Sequence, residues 1–372
     1  MGPNSIGTRY VLTVFGESHG RCVGVVLDGV PAGFNIDTER IDADMARRRP
    51  GQSEVTTARS EEDKVEILSG TFKGKTTGAP VTLVTWNKDA DSSVYERFKS
   101  IPRPGHADYT AAIRYGGFND YRGSGRFSGR ITAAIVMAGS IAVQIVEQVL
   151  PAITLGAHAR QIASVRYDGP VSLVDLRDRI EANPVRCYDA TIADQMIEAI
   201  EQARMENDSV GGIVECIIDG MPAGVGIPLF DNLESQFARM MFAIGAVKGI
   251  EFGAGFNVAG MRGSEDNDPF EFAPDGSVRI LSNHAGGILG GISTGAPIVF
   301  RVAIKPTSSI AKAQQSIDMA TGENVTLEYE GRHDPCIVPR AVPVIEAAAA
   351  AVLLDVLLDA GIVPPVRKEV RP

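Results

Sequence analysis

Apolar and β-branched residues recur along the chain in short runs closed by Gly, Pro or Asn. They are "CVGVVLDG" from Cys22, "KVEILSG" from Lys64, "APVTLVTW" from Ala79, "GGIVECIID" from Gly211, "SVRILSN" from Ser277 and "APIVFRVAI" from Ala296. Runs of this length, many joined by Gly/Pro turns, predict strands paired antiparallel. Apolar positions at three-to-four spacing predict helices at about 38–48, 131–149, 189–204, 231–243 and 342–360. The strands are grouped and do not alternate strictly with helices, so the pattern predicts an α+β fold over a doubly wound sheet.

Two stretches, 131–150 and 344–363, are apolar enough to raise the question of a membrane. Glu147 interrupts the first and Glu346, Asp355 and Asp359 the second, and each carboxylate would cost several kcal/mol in lipid. Both are expected as buried or oligomer-interface helices, with no membrane contact. The pattern also repeats. "LDGVPAG" (27–33) returns as "IDGMPAG" (218–224), and "ILSGTFKGKTTGAPVTLV" (67–84) is echoed by "ILSNHAGGILGGISTGAPIVFRV" (280–302). Two matched segments in the same order predict an internal duplication: a single domain over 1–372 made of pseudo-symmetric halves, about 1–150 and 210–372.

Composition narrows the function. A chain of 372 residues, 44% hydrophobic, buries a large core. A formal net charge of −10, with no basic block beyond Arg47, Arg48 and Arg49, argues against nucleic acid, and any anionic ligand must be met by local arginines. Four cysteines without C-x-x-C spacing and no basic-then-apolar leader read as a reduced, cytoplasmic protein.

Three motifs are decoys by spacing or context. "GESHG" (16–20) fits the G-x-S-x-G elbow of serine hydrolases, but almost nothing precedes it and a strand pattern follows where the elbow needs a helix. "GTFKGKT" (70–76) has three residues between its glycines where a phosphate loop needs four, and is expected as a hairpin loop. "HAGGILGGISTG" (284–295) lacks the G-x-G-x-x-G arrangement, leaving a tight turn and a ligand cradle equally open. The remaining polar residues converge on one theme. Four of five histidines, His19, His106, His284 and His333, sit in short Gly-, Pro- and charge-rich runs, without the spacing of metal ligands. Arg47 to Arg49, Arg103 and the Arg122, Arg126 and Arg130 of "YRGSGRFSGR" accompany them, with Gly123, Gly125 and Gly129 admitting close backbone approach. Guanidinium forks suit phosphate and carboxylate, and "KPTSSI" (305–310) adds Lys305, Thr307, Ser308 and Ser309. The residues themselves point to a multi-loop site for polyanionic small molecules, with histidines for proton transfer and no metal.

"FGESHG", "RRRPG", "RPGHADYT", "GRFSGR", "NHAGGILGGISTG", "KPTSSI" and "GRHDPCIVPRAVP" resemble, in order, the signature segments of the chorismate synthase family, and the likeness runs from near the N-terminus to about residue 360. It implies a lyase of the shikimate pathway, on the route to the aromatic amino acids, which removes phosphate by anti-1,4-elimination from 5-enolpyruvylshikimate 3-phosphate. It implies reduced FMN with no net redox change, a homotetramer, and a β-α-β sandwich with antiparallel sheets at the core and helices outside. In the family's chemistry reduced flavin lends electron density to the substrate, phosphate leaves and flavin N5 takes the proton. By the same resemblance His19 is the cation beside the departing phosphate, and His106 protonates or stabilises the reduced flavin. Asp334 lies near flavin N5, with Ser18 and Ser128 as proton relays. Arg48, Arg103, Arg130 and Arg332 hold the substrate's anionic groups. Arg126, Phe127, Ser128, Gly245, Ala246, Gly290, Lys305, Pro306, Thr307, Ser308, Ser309 and Arg332 surround FMN. Glu54 stands where many relatives carry Arg, which undercuts a contact to a pyridine nucleotide (NADP) there. Phe127 replaces a Ser, and so cannot relay a proton. Without a nucleotide fingerprint, the chain is expected to take its reduced flavin from an outside reductase. Two other classes compete: a serine hydrolase acting through Ser18, and a non-catalytic binder of flavin or phosphometabolites that would not need two loop histidines and an Asp in "GRHDP".

Overall fold

The computed structural model describes residues 2–49, 63–88, 93–328 and 334–368. Two five-stranded antiparallel sheets carry it. In the first, Cys22–Asp28 is the middle strand, with Val11–Gly16 and then Ser5–Ile6 on one side and Val81–Trp86 and then Val65–Ser69 on the other. In the second, Gly212–Asp219 is the middle strand, flanked by Thr154–Ile162 and Val165–Arg166 and, opposite, by Ile298–Ile304 and Val247–Phe252. The repeated "DG" pairs close the two middle strands alike. Asp28 accepts the Gly29 N–H at 2.9 Å and Asp219 the Gly220 N–H at 2.8 Å. Both glycines take a positive φ, 76° and 77°, which a side chain would resist. The strand Thr154–Ile162 already belongs to the second sheet, so that sheet begins close to residue 150.

Alternation along the strands turns one face of each sheet inward. Leu12, Val23, Val25, Leu27 and Leu83 are buried on the first, and Ala157, Cys216, Ile218, Phe300 and Val302 on the second. Between these faces run two helices, Thr132–Val149 against the first sheet and Val338–Asp359 against the second and against its partner helix. The fold is α+β, a β-α-β sandwich of antiparallel sheets, as expected, but the two longest helices, expected outside, fill the middle between the sheets. The reason lies in the helices themselves. Val338–Asp359 carries the run Ala347 to Ala351 and is buried along nearly its whole length, and a helix apolar all round has to be interior. Both helices are long and apolar enough to cross a membrane by length and composition, and both lie mostly inside the protein.

The charges that interrupt these helices are all engaged. Glu346 accepts the Ala157 N–H at 3.0 Å and pairs with Arg47, while Glu147 pairs with Arg40 at 2.5 Å. Asp355 gathers the backbone N–H groups of Thr8, Arg9 and Tyr10 at 2.9, 2.6 and 2.7 Å. Pro343 lies inside its helix, where it has no N–H for the carbonyl four residues back. That carbonyl, on Pro339, accepts from Arg186 at 2.7 Å.

Candidate active site

The chain reverses at Glu17–Gly20 between two paired strands, Val11–Gly16 and Cys22–Asp28. Ser18 therefore sits on a hairpin turn with no helix behind it, which removes the hydrolase elbow. Asn87 fixes the turn, donating from Nδ2 to the Glu17 and Gly20 carbonyls at 3.0 and 2.8 Å. Ser18 donates its N–H to the Gly125 carbonyl at 3.2 Å and accepts the Ser128 hydroxyl at 3.1 Å. The His19 ring lies edge-on to Tyr95, 5.2 Å between centroids. Against it runs the loop Arg122–Phe127, where Gly123, Ser124 and Gly125 all take positive φ (54°, 71° and 52°). A Cβ on Gly123 would overlap the His19 ring, so glycine is required there for the two segments to touch.

Arg48 closes the helix Thr38–Arg48, and Arg130 sits in the turn that opens Thr132–Val149, where Ser128 accepts its N–H at 3.2 Å. The two guanidiniums share one carboxylate: Asp63, with 1% of its side chain exposed, pairs with Arg48 at 2.5 Å and with Arg130. Arg130 also donates to Asn87 at 3.1 Å. Burial pushes the Arg48 guanidinium down to about 10, with the neighbouring cations Arg340 and Arg130 adding to the fall and Asp63 opposing it. Asp334 pairs with Arg340, whose Nε donates to the Arg48 carbonyl at 3.2 Å. Among the described residues, three guanidiniums thus meet two carboxylates, and the buried Nε of Arg48 has no hydrogen-bond partner. A buried set of guanidiniums with an orphaned donor suits an incoming anion.

A second group adjoins the first through the same loop. Arg103 pairs with Asp108 at 2.7 Å, and His106 Nδ1 lies 2.6 Å from the same carboxylate. Burial pushes the Asp108 carboxyl up, but the hydrogen bonds from Arg103 and His106 outweigh it and hold it well below the usual carboxylate range. Arg103 also donates to Ser309 at 3.1 Å and Ser124 at 2.8 Å, and stacks 4.9 Å from the Phe98 ring. Tyr95 and Phe98 form an apolar wall with Leu327 that links the two groups. Lys305 donates its N–H to the Ala246 carbonyl at 2.9 Å, and the Thr307 carbonyl accepts from Ser209 at 2.7 Å. Burial lowers the Lys305 ammonium, helped by Lys248. The Thr307 hydroxyl is buried without a partner among the described residues.

The structure thus brings together Ser18, His19, Arg48, Ser128, Arg130 and Asp334 in one group and Arg103, His106 and Ser309 in another. The backbone from Lys305 through Pro306 and Ser308 lies beside the latter, next to Gly245 and Ala246; Gly105 faces Ser308. Arg126 points the other way, to Asn4, and Phe127 is 38% exposed near Tyr115. Gly290 lies at the tip of a hairpin, Ile288–Leu289 with Ile292–Ser293, and no contact among the described residues ties it to either group. His284 binds the Asp266 carbonyl at 3.0 Å on a separate loop, and His158 is fully buried beside Glu215. Arg332, His333 and Glu54 lie outside the described residues. Among those described, no group of His, Cys, Asp and Glu is arranged to hold a metal ion. Sequence reading missed Asp63, Asn87, Tyr95, Ser124, Asp108 and Arg340. Asp108 was signalled by standing two residues after His106 in "RPGHAD", but Asp63, inside "EEDK", looks like any solvated acid.

Comparisons with known proteins agree on one family. The family model described as chorismate synthase matches residues 10–358. A chorismate synthase of Dehalococcoides mccartyi is 50% identical, covering 98% of this chain and 100% of its own. One of Methanosarcina acetivorans is 48% identical, covering 98% and 99%. A crystal structure of chorismate synthase superposes with a TM-score of 0.76 at 27% identity, covering 95% of this chain and 93% of that one.

Proposed function

This chain belongs to the chorismate synthase family, and from that premise we propose that it removes phosphate from 5-enolpyruvylshikimate 3-phosphate by anti-1,4-elimination, with reduced FMN bound. The carrying observation is the buried cluster of Arg48, Arg130 and Arg340, which Asn87 joins to the turn that carries His19, with an Arg48 Nε that finds no hydrogen-bond partner among the described residues. An anion with several oxygens completes such a cluster. The second group fits the cofactor's requirements as well: Lys305 to Ser309 present an ammonium, the orphaned Thr307 hydroxyl and Ser308 beside glycine-opened backbone, donors suited to a phosphate tail. Lys305, Pro306, Thr307, Ser308, Ser309, Gly245, Ala246 and Ser128 would hold FMN, joined in the reading by Arg126, Phe127, Gly290 and Arg332. When bound, reduced FMN would lend electron density to the reacting ring and recover it, leaving no net redox change.

The protein's own part is then binding, orientation and proton handling. Arg48 and Arg130 would grip the substrate's anionic groups, with Arg332 beside them. His19, held against the Tyr95 edge, would stand as a cation at the departing phosphate. The Ser18–Ser128 hydrogen bond offers a path for a proton between the two loops, and Asp334, held by Arg340, would orient the proton at flavin N5. The apolar wall of Tyr95 and Phe98 keeps water from the reacting face.

The proposal extends to a cytoplasmic homotetramer supplied with reduced flavin from outside. For the assembly, the support is that Phe118, Phe230, Phe256 and Phe272 are 95, 90, 84 and 81% exposed, rings whose burial between copies would remove apolar surface from water. The test is an anaerobic assay with chemically reduced FMN. Phosphate and chorismate should appear together, without reductant being consumed in proportion to product. Phosphate release with oxidised FMN, or with none, would overturn the reading.

A further inference from the structure

Arg103 is one of the least exposed cations in the molecule, and its hydrogens can be counted. Its Nε donates to Asp108 Oδ2 at 2.7 Å, and its Nη1 donates to Ser309 Oγ at 3.1 Å. The two hydrogens on Nη2 go to Asp108 Oδ1 and to Ser124 Oγ, both at 2.8 Å. Nη2 also lies 3.1 Å from His106 Nδ1, a third neighbour for two hydrogens. His106 Nδ1 is only 2.6 Å from Asp108 Oδ1, a separation that needs a proton between nitrogen and carboxylate. That proton belongs to Nδ1. Its fellow Nε2 makes no hydrogen bond with any described residue, although the ring is only 17% exposed.

We propose that Arg103 and Asp108 are positioning residues for His106, not substrate contacts: they fix the proton on Nδ1 and leave Nε2 as the atom that gives and takes the working proton. The inference rests on the reading of His106 as an acid beside the cofactor. It deepens that reading by naming the nitrogen, and it takes Arg103 out of the substrate's shell. Among the described residues, the charges facing the ring are Asp108, which favours the imidazolium, and Arg103, which opposes it. Lys305 is the next cation, across Gly105, and Ser124 and Ser309 are neutral. The pair is therefore a balance with two arms, and removing either arm moves the imidazolium in a known direction.

With FMN bound, Asp108→Asn leaves Arg103 unopposed and should shift the alkaline limb of kcat downward by about 1 pH unit. Arg103→Gln leaves Asp108 unopposed and should shift the same limb upward, with KM changed less than about threefold; each variant should lose roughly tenfold in kcat near neutral pH. Asp108→Glu should restore the limb in part. A direct readout needs no turnover: ¹⁵N signals of the His106 ring, with and without FMN, should show a protonated Nδ1 and a bare Nε2 at high pH, and Asp108→Asn should scramble the two. Limbs that stay in place, or an Arg103→Gln variant with KM raised tenfold or more and its limb unmoved, would overturn the inference and return Arg103 to the substrate. Should His106→Ala keep near-normal turnover, the reading of His106 fails as well, an outcome separate from unmoved limbs in an enzyme that His106→Ala cripples.

Discussion

At the scale of single residues, the site-bearing histidines and arginines were legible because they stand among glycines in short polar runs, where solvated charge alone gives no reason for glycine. Their counter-charges were not. Asp63 and Asp108 hold the arginines in place, and an acid acquires that role only through a contact the fold creates. Two expectations follow. Arg48→Ala and Arg130→Ala should each weaken substrate binding by roughly 1.5–3 kcal/mol, the worth of a charge-assisted contact, with lysine a poor substitute because the planar fork is lost. Titration of substrate into the flavin complex measures this, and unchanged affinity would make both arginines structural. Asp63→Ala should destabilise the fold by about 3–5 kcal/mol, because it strips a shared carboxylate from two almost fully buried guanidiniums. A denaturant midpoint that does not move would show that these cations find other partners.

At the scale of elements, helix periodicity read well. The five expected helices correspond to Thr38–Arg48, Thr132–Val149, Ala190–Met205, Leu233–Met241 and Val338–Asp359. The last begins earlier than its apolar pattern because Pro339 suits a first turn. Strands read less well. Val11–Gly16, Thr154–Ile162 and Val247–Phe252 were passed over, since "TLGAHARQI" and "VKGIEF" mix glycine and charge into runs whose β character comes from their neighbours. The central place of the two long helices was hidden for a related reason: burial on all sides is a property of two helices together. Their crossing gives a prediction of inverted sign. In an isolated helix Gly→Ala gains about 1 kcal/mol, but a Cβ on Gly139 would overlap the backbone of Ala347. Gly139→Ala should therefore lower Tm, with a loss of roughly 1–3 kcal/mol, and a raised Tm would show that the helices can part freely.

At the scale of the whole molecule, the repeated "LDGVPAG" segments close the middle strand of each sheet, and the repeated "TGAP" segments lead into the strand beside it. The second sheet carries a buried charge network on its outer face. Glu215, 3% exposed, meets His158 at 3.2 Å, Arg160 at 2.8 Å and Arg301 at 2.7 Å. Burial pushes its carboxyl up, but these partners outweigh burial and hold it at about 2, against 4.5 when free. A depressed carboxylate stabilises fully above its free value, and that stability drains away as pH falls through the folded one. Wild-type unfolding free energy should therefore drop between about pH 4.5 and 2, and Glu215→Gln should flatten that window; equal slopes would assign the acid sensitivity elsewhere. The hydrogen bonds from Asp355 to residues 8–10 have a consequence in time. They join groups up to 347 positions apart, so at 5–20 residues per second a ribosome needs roughly 20–70 s to make the second partner after the first. Through that interval the opening segment waits without its anchor, and the helix Thr132–Val149 on the first sheet lacks its partner helix. The native arrangement is thus reached late in synthesis, and the early half is in the cell's hands until then.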